Sequence, residues 1–226
     1  MIVSISQPTV FPWIGYFNII KNSDVFVFLD NVKFEKRSWQ MRNRVKAVTK
    51  DGESEVWIHI PTRIEKTFTL IKDVIIDNSQ KWKEKHLKSF LANYGKSFGE
   101  IGFIKEIYNK EWTCLADFNI ECITNCCKFL DIPTRLVRAS NLSASGKKSE
   151  LILNICKELG ATEYLSTVLS KDYLENDKGM FGKENIKITY HDYKHPVYKQ
   201  KGKIFIDHLS VLDLIFNEKG NAKNFV

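Results

Sequence analysis

Two clusters near the start of the chain hold residue types able to bind and activate a small anionic molecule. The first runs from Gln7 to Tyr16 (QPTVFPWIGY) and lies between an apolar strand pattern and a short helix pattern. Gly15 would let backbone approach a ligand closely, and the start of the helix offers unpaired N–H groups to an anion. Phe11, Trp13 and Tyr16 can wall a flat ring. The second cluster runs from Asp30 to Arg44 and contains Lys33, Lys36, Arg37, Arg42 and Arg44 with Phe34 and Trp39 interleaved. Arginine grips a phosphate through two parallel hydrogen bonds and lysine adds a point charge. Asp30 ends an apolar strand, where a carboxylate can emerge into a pocket. A solvated basic loop is the plainer reading, but Phe34 and Trp39 need partners.

Weaker candidates follow. The stretch from Ser143 to Ser149 (SASGKKS) precedes a helix and resembles a phosphate loop. It is not a Walker A motif, because Asn141 stands where that pattern needs its first glycine. Lys147 and Lys148 would oppose the helix dipole unless an anion lay there. Asn119 and Asp213 interrupt apolar stripes and read as structural hydrogen-bonders, with a pocket-facing role as the alternative for Asn119. His59 and His86 alternate with apolar residues and read as core, whereas His191 and His195 flank Tyr193 in a polar segment and are more available. No Ser-His-Asp order and no metal-ligand spacing stands out, so no bound structural metal is expected. Cys114, Cys122, Cys126, Cys127 and Cys156 are odd in number and form no Cys-x-x-Cys pair, against both a disulfide framework and a zinc site.

The elements that must position these residues read as a single α/β domain over residues 1–226. Strands are predicted at residues 2–6, 24–30, 56–60, 134–139, 164–167 and 186–190, with a short edge strand at 73–77. Helices are predicted at 15–21, 80–94, 100–110, 115–130, 148–159 and 207–217, with a fraying tail from Glu218. Alternating strands and helices imply a mostly parallel sheet with helices on both faces, plus a helical middle segment. Such sheets bind ligands beyond the carboxyl ends of their strands. The loops after Ser6 and after Asp30 are therefore expected to share one pocket.

Composition narrows the partners. The 226 residues carry a net charge of +7 and are 43% hydrophobic, enough for a real core. A basic balance suits nucleic acid, anionic lipid or a phosphorylated metabolite, and the lysines are scattered rather than blocked. No stretch approaches the roughly 20 apolar residues of a membrane span. The first residues lack the basic start and apolar run of a signal peptide, which points to the cytoplasm.

Several stretches together resemble the WbqC-like family. They include Gln7-Pro8, Trp13-Ile-Gly-Tyr-Phe17, Asp24-Val-Phe-Val-Phe-Leu-Asp30, Lys36-Arg-Ser-Trp39, Asn43-Arg44, Ala116-Asp-Phe-Asn119, Gly160-Ala-Thr-Glu-Tyr-Leu-Ser166, His195-Pro-Val-Tyr-Lys-Gln200 and Leu209-Ser-Val-Leu-Asp213. The resemblance implies a role in bacterial polysaccharide (O-antigen-type) biosynthesis. Members have been described as glycine or acyl transferases acting on amino sugars. Many carry a histidine before the Gln-Pro pair, where this chain has Ser6. The order strand, proline-containing loop, helix, apolar strand is also similar to the nucleotidylyltransferase-type (HUP-type) fold. Pantothenate synthetase, which joins an acid to an amine through an acyl adenylate, belongs there. Its His-x-Gly-His signature would fall on Trp13-Ile-Gly-Tyr16, which has neither histidine.

The resulting expectation is an enzyme forming an amide on a nucleotide-linked amino sugar. Asp30 or His195 would accept the amine proton. Arg37, Arg42 and Arg44, with Lys36, would hold the diphosphate, and Trp13 or Trp39 would stack on the base. Gln7, Gly15, Tyr16, Phe34, Asn43, Asn119, Lys147, Ser166 and Tyr198 complete the expected contacts. The donor would be an acyl adenylate made from ATP and Mg2+, an acyl thioester or an aminoacyl-tRNA. A tRNA-binding module and a non-catalytic member of a polysaccharide-synthesis complex are the alternatives. Oligomeric state is not legible.

Overall fold

In the computed structural model, which describes residues 1–64 and 68–226 with Tyr173 by its backbone alone, the apolar run expected at 24–30 forms a strand over Val25–Phe28 that is buried throughout. Successive strand side chains point to opposite faces. Phe26 and Phe28 accordingly join one hydrophobic core, and Val25 and Val27 another. A strand covered on both sides belongs inside a parallel sheet.

The strands, in chain order, are β1 Ile2–Ser6, β2 Val25–Phe28, β3 Arg42–Thr49, β4 Gly52–His59, β5 Thr62–Arg63, β6 Ile75–Ile76, β7 Arg135–Arg138, β8 Glu163–Thr167 and β9 Lys187–His191. The main sheet is parallel, in the order β7-β2-β1-β8-β9. This is an α/β fold of Rossmann- or HUP-like kind. The chain builds outward from β1 to β2 and β7, then returns to the other side of β1 for β8 and β9. The switch point, where loops diverge and leave a crevice, therefore lies between β1 and β8.

Helices α1 Ile14–Lys21, α6 Ser149–Glu158 and α7 Lys171–Lys183 make crossovers between these strands. A helical layer follows in the middle of the chain: α2 Trp82–Tyr94, α3 Lys96–Glu100, α4 Gly102–Asn109 and α5 Leu115–Phe129. On α5, Leu115, Phe118, Cys122, Ile123 and Cys126 are buried at the three- and four-residue spacing of one apolar face. Gly95 ends α2 with φ 54°, a conformation costly for other residues. Among the described residues, no helix is long and apolar enough to cross a membrane. All five cysteines are free, and burial raises the thiols of Cys122, Cys126, Cys127 and Cys156 above their ordinary range.

The structure departs from the expected elements in four places. The strand at 56–60 does not enter the main sheet; it is the end of β4, paired antiparallel with β3. Residues 31–46 include the start of β3, whose alternation is obscured by Lys46 pointing inward to a 2.9 Å ion pair with Glu53. Helix α7 carries little signal in the sequence and is absent from the expected elements, because its inward residues, Leu174 and Phe181, are sparse. Helix α8 is Val211–Glu218, and the chain after it does not fray: it winds into a 3-10 helix, burying Ala222 and Val226.

Candidate functional site

A cavity of about 430 Å³ opens at the switch point. Ser6, at the end of β1, and Gln7, Thr9, Pro12 and Trp13, from the loop after it, form one wall, with Tyr16 from the first turn of α1. Trp39 comes from the loop before β3, and Asn43 and Arg44 from the start of that strand. Leu169, beyond β8, and His208, before α8, close the ring. Gln7, Trp13, Tyr16, Trp39, Asn43 and Arg44 are thus brought together around one opening.

Hydrogen bonds hold the loop in shape. Phe11 takes a positive φ of 37°, and its carbonyl accepts from Asn43 Nδ2 and Ser210 Oγ, both at 2.8 Å. Asn43 Nδ2 also donates to the Val10 carbonyl at 2.9 Å. Gln40 Nε2 donates to Gln7 Oε1 at 2.7 Å, and the Tyr16 hydroxyl donates to the Gln7 carbonyl at 3.0 Å. Asn119, from α5, donates to the carbonyls of Pro8 (3.2 Å) and Gln40 (2.8 Å), tying the two clusters together from beneath. It is a staple and not a cavity residue, although its Oδ1 is buried without a partner.

Gly15 serves a different purpose from the one expected. A Cβ there would lie 2.3 Å from the Trp13 ring, so the missing side chain makes room for the indole. Trp13 also contacts Tyr193 (5.3 Å between ring centroids), His195 (6.3 Å, 8° between planes) and His208 (4.9 Å). Trp13 is therefore a packed wall. Trp39 is 49% exposed and paired with Trp57 at 5.8 Å, which makes it the ring available for stacking.

The expected positive rim is narrower than the sequence suggests. Arg44 is the cation that lines the cavity, sitting over Trp39 and Trp57 at 5.4 and 5.8 Å. Its Nη1 meets both oxygens of Glu55 at 2.8 and 2.7 Å, and its Nε is buried without a partner. Arg42 lies over the other end of Trp57 at 4.5 Å, outside the cavity. Lys36 and Arg37 are exposed away from it, and Phe34 is core.

Asp30 is fully buried. It accepts from Arg138 Nε at 2.7 Å, from Ser140 N–H at 2.9 Å and from Ser140 Oγ at 2.8 Å. Arg138 in turn reaches Asp117 at 2.6 Å. This strand tip is closed, and a proton-accepting role for Asp30 is corrected to a structural one. His195 is likewise committed to backbone: Nδ1 lies 2.9 Å from the Pro196 carbonyl, and Nε2 accepts from His208 N–H at 3.2 Å. Burial lowers its affinity for a proton.

The remaining expected contacts lie elsewhere. Lys147 meets Glu150 through its backbone: Glu150 fills the space over Gly146 and accepts from Lys147 N–H at 3.3 Å, so a carboxylate of the chain itself occupies the start of this helix. Ser166 is buried in β8, donating to Tyr164. Tyr198 donates to Asp213 at 2.8 Å, and Tyr94 donates to its other oxygen at 2.6 Å, in a buried network. Burial raises the pKa of Asp213 despite both bonds. His208 falls inside the helix expected at 207–217, whereas it lies in the loop before α8. Ser210 is the N-cap of α8, its side chain accepting from Leu212 N–H. Reading that serine as the helix start would have left His208 in a loop.

The protein is 32% identical over 230 residues to the uncharacterized protein Rv1507c of Mycobacterium tuberculosis, covering 99% of this chain and 96% of that one. No solved structure matches it. The model of the WbqC-like protein family matches residues 7–225, and the chain belongs to that family.

Proposed function

We propose that this protein is a biosynthetic transferase of bacterial polysaccharide (O-antigen-type) assembly, forming an amide on a nucleotide-linked amino sugar bound in the switch-point cavity. The observation that carries the reading is the convergence of Trp39, Arg44 and His208 on one 430 Å³ opening beyond the carboxyl ends of β1 and β8. A cavity of this size suits a metabolite. The half-exposed Trp39 ring offers a face to a base, and Arg44, beside it, offers charge to a phosphate. The polar groups of Gln7, Thr9 and Asn43 can orient a sugar. Family membership supports a biosynthetic role.

In the reaction proposed, the sugar amine attacks the acyl carbon, the bond from that carbon to the leaving group breaks, and one N–H proton passes to a base. The donor is an acyl adenylate made from ATP or an acyl thioester, with glycine or a related acid as the acyl part. The test has two stages. Calorimetric titration with UDP- and dTDP-linked amino sugars should give saturable binding that weakens at least tenfold in Arg44→Ala. Mixing enzyme, ATP, glycine and the sugar that binds should then release AMP in step with amide. Amide formed only from a thioester would reject the adenylate route, and no binding of either nucleotide sugar would reject the substrate class.

A further inference from the structure

We propose that the imidazole of His208, oriented by the neighbouring Asp207 carboxylate, is the proton acceptor of this cavity. The inference rests on reading the cavity as a transferase site, but its geometry is independent of which substrate enters. His208 lines the cavity with its side chain half exposed. Its Nδ1 lies 3.1 Å from Asp207 Oδ1. A ring that donates Nδ1–H to a carboxylate keeps the Nε2 lone pair free to accept a proton.

The backbone holds this ring in place from both sides. His208 adopts a φ of 52°, a region disfavoured for residues with a Cβ and found where surrounding structure enforces it, often at functional sites. Its own N–H donates to His195 Nε2 at 3.2 Å. Two residues on, Ser210 N–H donates to the Arg44 carbonyl at 2.9 Å and Ser210 Oγ to the Phe11 carbonyl at 2.8 Å. The same Phe11 carbonyl anchors the loop after β1, so the strap carrying His208 and the opposite wall are fixed to one atom. The ring faces Trp13 at 4.9 Å and His195 at 5.0 Å.

The two histidines divide the work. His195 has both nitrogens tied to backbone and acts by positioning the His208 backbone and packing on Trp13. The His208 ring is half exposed, and among the described residues no hydrogen bond holds its Nε2. The titratable and charged groups around it are Asp207 on its own segment, His195 from the preceding one, and Tyr16 and Arg44 across the cavity. The pairing with His208 lowers the Asp207 pKa, keeping that carboxylate ionised. In amide formation, the amine nitrogen bonds to the acyl carbon, the leaving group departs with the electron pair of the broken bond, and the N–H proton moves to His208 Nε2.

Two measurements test this. Long-range 1H–15N spectra of labelled protein at pH 8 should show His208 as the Nδ1–H tautomer, and Asp207→Asn should shift it to Nε2–H. A wild-type His208 in the Nε2–H form, or one indifferent to Asp207→Asn, overturns the proposal. In the amide-forming assay, His208→Asn, chosen because asparagine tolerates positive φ, should lower kcat about 100- to 10,000-fold with KM changed less than about threefold. A kcat within about threefold of wild type overturns it. If the tautomer result holds while no nucleotide-linked amino sugar binds, the substrate reading fails and the His208–Asp207 assignment stands.

Discussion

The tips of β1 and β2 are neighbours in one sheet, yet they end in opposite states. Beyond β1, Gln7, Trp13 and Tyr16 line an open cavity. Beyond β2, Asp30 is sealed, with its oxygens taken by Arg138 and Ser140. Two features separate them. Sheet order puts the switch point on the β8 side of β1, so the β2 side has β7 and its following turn packed against it. The hydrogen-bonding capacity at the β2 tip is also met internally, which leaves a ligand nothing to satisfy. A polar residue at a strand end marks a site only when its partners are left to be supplied.

Breaking the closed tip should have the largest effect. Asp30→Ala leaves the Ser140 N–H and hydroxyl without their acceptor and Arg138 with Asp117 alone, and for three charge-assisted bonds lost together we expect a loss of about 3–5 kcal/mol. Chemical denaturation checks this, and nucleotide-sugar affinity per folded molecule should stay unchanged.

A second closed group gives the pH test. His86 is 4% exposed, with Nε2 3.0 Å from His59 N and Nδ1 2.8 Å from the Tyr108 hydroxyl. Burial pushes its pKa down to about 4 from the ordinary 6.5. Between those values the unfolded chain binds a proton that the folded chain does not, so stability falls as pH drops from about 6.5 to 4. The shift corresponds to about 3 kcal/mol. Denaturation midpoints across that window measure it, and His86→Gln should flatten the slope.

At the open tip, Gly15→Ala forces a Cβ into the Trp13 ring. Overpacking of this kind costs about 1–3 kcal/mol, and here displacement of the indole should weaken ligand binding as well, as paired melting and titration experiments would show. The smallest effect on stability is expected at Trp39, which is 49% exposed. Trp39→Ala should change stability by under about 0.5 kcal/mol yet cost about 1–3 kcal/mol of stacking with a base. A large stability loss there would erase the contrast between the two tips.

Much of this was legible in the sequence. The apolar run before Asp30 and the stripe on α5 carry their burial in their periodicity, and Trp13-Ile-Gly-Tyr16 announced a loop entering a helix. Sheet order was not, because the partner of β1 is set by where β8 returns, more than 150 residues later. Nor was the fate of Asp30, since Arg138 and Ser140 are over 100 residues away. Lys46 hid β3 by breaking its alternation, and its reason, Glu53, lies across the hairpin. His208 falls inside the helix expected at 207–217, and Ser210, a serine at the true helix start, is the local signal that returns it to the loop.

The five tryptophan indole N–H signals in a 1H–15N spectrum, titrated with UDP- and dTDP-linked amino sugars, test the central claim most directly. The cavity between β1 and β8 predicts that Trp39 and Trp13 shift in a saturable way while Trp82 and Trp112 hold still. Shifts confined to Trp82 and Trp112, or none at saturating ligand, would contradict it.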